Sequence, residues 1–328
     1  HRVDRRQRQM CIRDRSNILA TDIEKITGKI PVVSNTNKVS GNTIIAGTIG
    51  SNKWIDKMIA SGKISVSEIE QGWERYQLQI VENPVPGVEK ALVIVGSDRR
   101  GTAYGILEIS RKIGISPWEW WADVTPTKKE SLSISIAKEV SKSPSVKYRG
   151  VFLNDEDWGL QRWAALNYEP ETGDIGPKTY AKVFELLLRL RANTIWPAMH
   201  SSTKPFYSYP ENKFVADDYA IVIGTSHAEP MLSNINTEWK HDVMGEYRYD
   251  TNATVIKNLF TKRAKETAKF ESIYTTGMRG EHDSPMIVGE DDTDAQVSLL
   301  ERVITDQRAI LEKEIKIDPK TIPQAFVP

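Results

Sequence analysis

From residue 146 onward the chain repeats one unit: a short apolar run, a polar loop, then a helical period. The apolar runs are 146–153, 193–197, 220–224, 272–276 and 321–327; helical spacing covers 178–191, a short turn at 215–219, 253–269 and 294–313. Strand then helix, repeated, predicts a parallel sheet, because a parallel neighbour is reached only through a crossover long enough to hold a helix. A doubly wound sheet and a closed barrel both satisfy that rule. The glycine fingerprint expected after the first strand of a doubly wound nucleotide-binding sheet is missing. Each strand here runs instead into a loop rich in carboxylates, imidazoles or indoles, which is the habit of a (β/α)8 barrel. A whole barrel takes about eight strands, and five are found here, so the expectation is a truncated TIM barrel over 146–328.

The region upstream reads differently. Residues 16–30 have helical apolar spacing, 43–50, 73–82 and 91–96 read as strands, and 101–114 as a helix after a polar, glycine-closed turn. This predicts an N-terminal α+β domain over 16–145, closed by a Ser- and Lys-rich linker near Ser141–Ser145. The fold class is therefore α/β, an α+β domain followed by the truncated barrel. Residues 1–15 are basic and without apolar period, and Gln9–Asp14 resembles the translation of a sequencing-library adapter; the segment reads as non-native and is expected to pack against nothing. It holds the sole cysteine, Cys11, so the remainder is cysteine-free, which is compatible with a secreted or periplasmic protein.

Charge is balanced, 44 basic against 44 acidic residues, and neither nucleic acid nor a membrane surface is indicated as a partner. The nine Trp are the compositional outlier, and Trp118, Trp120, Trp121, Trp158 and Trp163 fall in two clusters. Such clusters serve as core or as flat platforms for sugar rings.

The chemistry sits after the strands. The first delivers Asn154, Asp155, Glu156, Asp157 and Trp158; the second Trp196 and His200; the third His227 and Glu229; the fourth Arg279, Glu281, His282 and Asp283. Glycoside cleavage needs such a set: one acid to protonate the leaving oxygen, one base to activate water, and aromatic faces to hold the ring. An acidic sugar adds the need for a cation, and Arg meets a carboxylate in two-pronged geometry. Each residue also has a structural reading, as a loop cap, a packed indole or an Arg279–Asp283 ion pair. His200, His227, Glu229, Glu281, His282 and Asp283 are potential metal ligands, but without a recognised ligand spacing neither metal nor cofactor is expected.

Six segments in order carry a resemblance: 96–105 (GSDRRGTAYG), 116–124 (SPWEWWADV), 149–156 (RGVFLNDE), 193–199 (NTIWPAM), 224–231 (GTSHAEPM) and 277–283 (GMRGEHD). They resemble the xylan α-1,2-glucuronidases of glycoside hydrolase family 115. The resemblance implies removal of glucuronic acid, or its 4-O-methyl form, from glucuronoxylan with inversion by general acid and base. It implies a sugar-binding acid at Asp155, an indole lining the pocket at Trp196, an imidazole beside it at His227 and the family's arginine at Arg279. The candidate catalytic residues are Asp155, Glu281 and Asp283, and the candidate substrate-binding residues are Asn154, Trp196, His200, His227, Glu229 and Arg279. In this family the favoured general acid follows the fifth barrel strand, so these residues alone are expected to be inactive. A homodimer would form through C-terminal regions outside the sequence. A hexosaminidase-like barrel and a non-catalytic glycan-binding protein are the alternatives.

Overall fold

The computed structural model describes residues 2–34, 39, 41–286, 293–318 and 320–326, with side chains from Arg15 onward except that of Asp283. They form two compact units, one of 1–149 with 185–193 and 218–220, the other of 150–184, 194–217 and 221–328. The expected domain boundary lay at 145/146.

The first unit holds α1 (Arg2–Thr27), β1 (Thr43–Thr48), α2 (Lys53–Ala60), β2 (Tyr76–Glu82), β3 (Lys90–Gly96), α3 (Arg99–Ile113) and β4 (Glu139–Val140). Its four-stranded sheet has the order β1-β3-β2-β4, with β1 parallel to β3 and the other pairs antiparallel. The unbroken apolar run of β3 is explained by its position: it is central, and Ala91 to Gly96 are all buried. Ile55 and Met58 of α2 pack with Val93 and Val95 beneath it. α3 starts where the Asp98 carboxylate accepts from the Gly101 N–H at 2.8 Å, and it stops at Gly114, whose φ of 111° a side chain would strain. β2 begins later than the sequence suggests, because Glu74 sits at φ 55°. That backbone turn buries the Glu74 carboxylate against the Arg149 guanidinium and the Asn193 amide, the latter at 2.7 Å.

Two expectations need correction here. Residues 2–15 belong to one helix with the segment that follows. Arg15 is buried rather than unpacked: it donates to the Asp218 carbonyl at 2.8 Å and stacks over the Tyr219 ring. The side chains of Met10 and Ile12, expected to be unburied, lie outside the described residues.

The second unit holds β5 (Gly150–Phe152), α4 (Leu160–Trp163), α5 (Pro177–Arg189) as far as Phe184, β6 (Thr194–Trp196), α6 (Asn212–Asp218) as far as Asp217, β7 (Val222–Ile223), α7 (Ile235–Glu238), α8 (His241–Met244), α9 (Tyr249–Thr267), β8 (Tyr274–Thr276), α10 (Thr293–Ile315) and β9 (Gln324–Phe326). β5, β6 and β7 are adjacent and parallel. Ile223 then bridges in parallel to Ser272, and β8 pairs in parallel with β9. The strands thus follow one another in sequence order, all pointing one way. They are shorter than the apolar runs that announced them. Apolar character reports burial, whereas a strand needs a ladder: Ala220 and Ile221 are buried, but the backbone at Ala220 turns aside at φ 53°.

α5 shows how a loop is tied to a helix. The buried Glu169 carboxylate accepts from the N–H groups of Gly176, Lys178 and Thr179 at 3.0–3.1 Å and from the Thr179 hydroxyl at 2.9 Å. Those N–H groups surround the start of α5, where they have no partner within the helix and where negative charge is favoured. Among the described residues no helix is long and apolar enough to cross a membrane.

Candidate active site

Because the strands of the second unit run parallel, the residues that follow them emerge at the same end. A cleft there is lined by His227, Ala228 and Pro230 from the segment after β7, by Asn236 and Tyr247, and by Arg279, Gly280 and His282 after β8. Of the residues singled out in the sequence, the fold brings His227, Arg279 and His282 into this wall. Tyr247 and Asn236 were missed; they belong to connecting segments without strand periodicity, and nothing in their sequence marks them.

Trp196 ends β6, with its ring edge-on to Phe152 at 5.4 Å between centroids. Its indole lies against the glycine that follows β7. A Cβ added at Gly224 would fall 2.6 Å from the indole nitrogen, so this close approach requires glycine. Gly224→Ala is expected to displace the indole or push the strand ends apart. It should lower stability by about 1–3 kcal/mol, the usual cost of overpacking, read as a fall in melting temperature. An unchanged melting curve would show that the indole has room to move.

Asn154 and Asp155 are exposed after β5 and are not among the described residues that line the cleft. Their neighbour Glu156 was passed over and proves the better anchored. Its side chain is fully buried; one oxygen accepts from the Met199 and His200 N–H groups, both at 2.7 Å, and the other meets the His200 ring at 3.1 Å. His200 is thereby held against the β5 loop and is not part of the cleft wall. With Asp157, these residues place three potential ligand atoms within 4.8 Å of one another; they are the described group best able to hold a metal ion.

Glu229 does not reach the cleft surface either. It is 4% exposed, and burial pushes its carboxyl up to about 8. Glu281 is engaged by His241 at 2.8 Å, and the carboxylate raises the imidazole above its ordinary range. Asp283's side chain lies outside the described residues.

Comparison with known proteins places this arrangement. The model of glycosyl hydrolase family 115 matches residues 141–328. A solved structure of a family GH115 4-O-methyl-α-glucuronidase, BtGH115A, with specificity for decorated arabinogalactans, is 42% identical with a TM-score of 0.83. The match covers 96% of this chain and 40% of that one. Two more distant structures are a GH138 enzyme targeting pectin rhamnogalacturonan II (12% identity, TM-score 0.40, 90% of this chain and 40% of that one) and CpGH84D (10%, 0.33, 90% and 53%). Neither is similar enough to carry an argument. The comparison with curated proteins found no match. A parallel α/β unit with imidazoles and an arginine at its strand ends, matched in this way, falls in the class of the glycoside hydrolases. Within that class the chain belongs to glycosyl hydrolase family 115.

Proposed function

We propose that the protein carrying this chain is an α-glucuronidase that releases glucuronic acid or its 4-O-methyl form from plant polysaccharide side chains. The observation that supports this most is the cleft, where Arg279 stands with His227 and His282, in a chain 42% identical to a 4-O-methyl-α-glucuronidase. A uronic acid brings a fixed negative charge that a purely acidic rim would repel, and a guanidinium answers it. The parallel, sequence-ordered strands of the second unit support the further reading that they are the first five of a (β/α)8 barrel. On that reading Asp155 and Trp196 share the rim with the cleft, and Asp155 and Asp283 are candidates to orient or activate the attacking water. Glu281 is a weaker candidate, since His241 already holds it.

Xylan is the polysaccharide the sequence motifs suggest, whereas the similar structure belongs to an enzyme with specificity for decorated arabinogalactans. The test is to incubate the full gene product with 4-O-methylglucuronoxylan and with a glucuronidated arabinogalactan, and to follow uronic acid release by chromatography and its anomeric form by proton NMR. Release from either, first as the β-anomer, is the expected result. No uronic acid from both would overturn the proposal.

A further inference from the structure

The segment from His227 to Asn236 leaves β7, forms one side of the cleft and returns to it. His227, Ala228 and Pro230 line the cleft on the way out, and Ile235 and Asn236 on the way back. Between them the backbone takes a conformation that side chains disfavour. Met231 and Leu232 are consecutive, fully buried and both in the left-handed region, at φ 53° and 62°. Two such residues together cost on the order of 1–3 kcal/mol each, and they persist only where the surroundings hold them.

The Glu229 side chain spans this stretch. Its Oε1 accepts from the Asn234 amide at 3.1 Å, so it joins the outgoing strand of the segment to the returning one. The same Asn234 amide donates to the Met199 carbonyl at 2.9 Å, in the loop after β6. The Asn234 side-chain oxygen in turn caps α7, accepting from the Thr237 N–H. At the outgoing end, the Thr225 hydroxyl donates to the Glu229 carbonyl at 2.8 Å. One buried carboxyl and one amide thus tie together both ends of this segment.

The chemistry of that carboxyl is unusual. Its described side-chain partner is a neutral amide, the Ser226 main chain lies near enough to favour ionisation weakly, and Oε2 has no hydrogen bond among the described residues. A carboxylate ionised there would be costly, and the neutral acid costs less. The charged and titratable groups facing it are Glu238, which disfavours its ionisation, Arg263, which favours it more weakly, and Tyr180, itself neutral. We propose that Glu229 is a positioning residue of the cleft, a buried acid that staples the His227 and Asn236 sides together beneath the substrate without touching it. The inference rests on the proposed function only for its activity readout.

The test compares Glu229→Met, which keeps bulk but not the hydrogen bond, with Glu229→Gln, which keeps an uncharged hydrogen-bonding group. Both are made in the full gene product. Glu229→Met is expected to lower kcat at least tenfold, with amide hydrogen exchange over 225–236 accelerated and the rest of the chain unchanged. Glu229→Gln should restore kcat to within about threefold of the parent. The pH profile adds a signature. The parent is expected to lose kcat as pH rises through about 8, where the acid would ionise; the Gln variant, with nothing to ionise at this position, should lack that limb. A Gln variant as impaired as Met while exchange stays at the parent level would mean that the acid takes part in the chemistry, and would overturn the proposal. Parent-like kcat and exchange in the Met variant would overturn it equally. If the parent proves inactive on every uronoside, the proposed function fails, and the exchange comparison still decides whether Glu229 holds the segment.

Discussion

Arg279→Ala in the full gene product is expected to lower kcat/KM on a uronic-acid-bearing oligosaccharide by about tenfold to a hundredfold. On the matching substrate with the carboxylate reduced to an alcohol, the loss should be far smaller. The magnitude follows from charge. A charge-assisted, two-pronged pair is worth roughly 1.5 to 3 kcal/mol, and about 1.4 kcal/mol is a factor of ten. The geometry favours a ligand role because Arg279 is in the cleft wall with His227 and His282. The nearest rival explanation is an arginine that merely braces its own loop. Kinetics on the two substrates separate the readings: equal losses on acid and alcohol would assign Arg279 to bracing and remove the charge argument for the proposed substrate.

The second large effect concerns stability. Glu156→Ala removes a buried carboxylate that accepts from two backbone N–H groups and a histidine ring. It leaves the two N–H groups of Met199 and His200 without an acceptor in a poorly solvated place. Unsatisfied buried donors cost about 1–3 kcal/mol each, and part of that is recovered if water enters. A net loss of about 2–4 kcal/mol is therefore expected, which corresponds to a fall in melting temperature on the order of 5–15 °C. Asp157→Asn is the control. Asp157 is exposed and 3.9 Å from the same ring, and an exposed pair of that length contributes little, about 0.5 kcal/mol or less. Equal melting of the Glu156 variant and the parent would show that the loops after β5 and β6 are held by something else.

Much of the fold can be read in the sequence, because burial leaves a periodic mark. The apolar face of α5, with Tyr180, Val183, Phe184, Leu187 and Leu188 buried, is visible as spacing, and so is the unbroken run of β3. Strand limits are less legible. They depend on partners far along the chain, as the bend at Ala220 and the late start of β2 at Glu74 show. Within the site, Arg279 and His227 stand out because they follow apolar runs directly. Glu156 does not, although it is adjacent to Asp155. Nothing in a row of acidic residues says which one turns inward; that is decided by the N–H groups of Met199 and His200, more than forty residues away. Helix α1 was legible only in its second half. Its first turns have no apolar stripe, and Arg15 is buried through a carbonyl and an aromatic face rather than through apolar side chains.

The grip of Glu169 on the start of α5 bears on how this stretch can change over time. What the carboxylate holds is main chain, which every residue except proline presents alike, so most side chains from 170 to 178 can drift without loosening it. Three positions are exceptions. A side chain at Gly176 would come within 2.4 Å of the carboxylate oxygen, and Thr172 and Thr179 lend their own hydroxyls. Length is under stricter control than identity. One residue added between 169 and 176 would move the N–H groups out of register with the acid, so relatives of this chain should tolerate substitutions here far more readily than insertions.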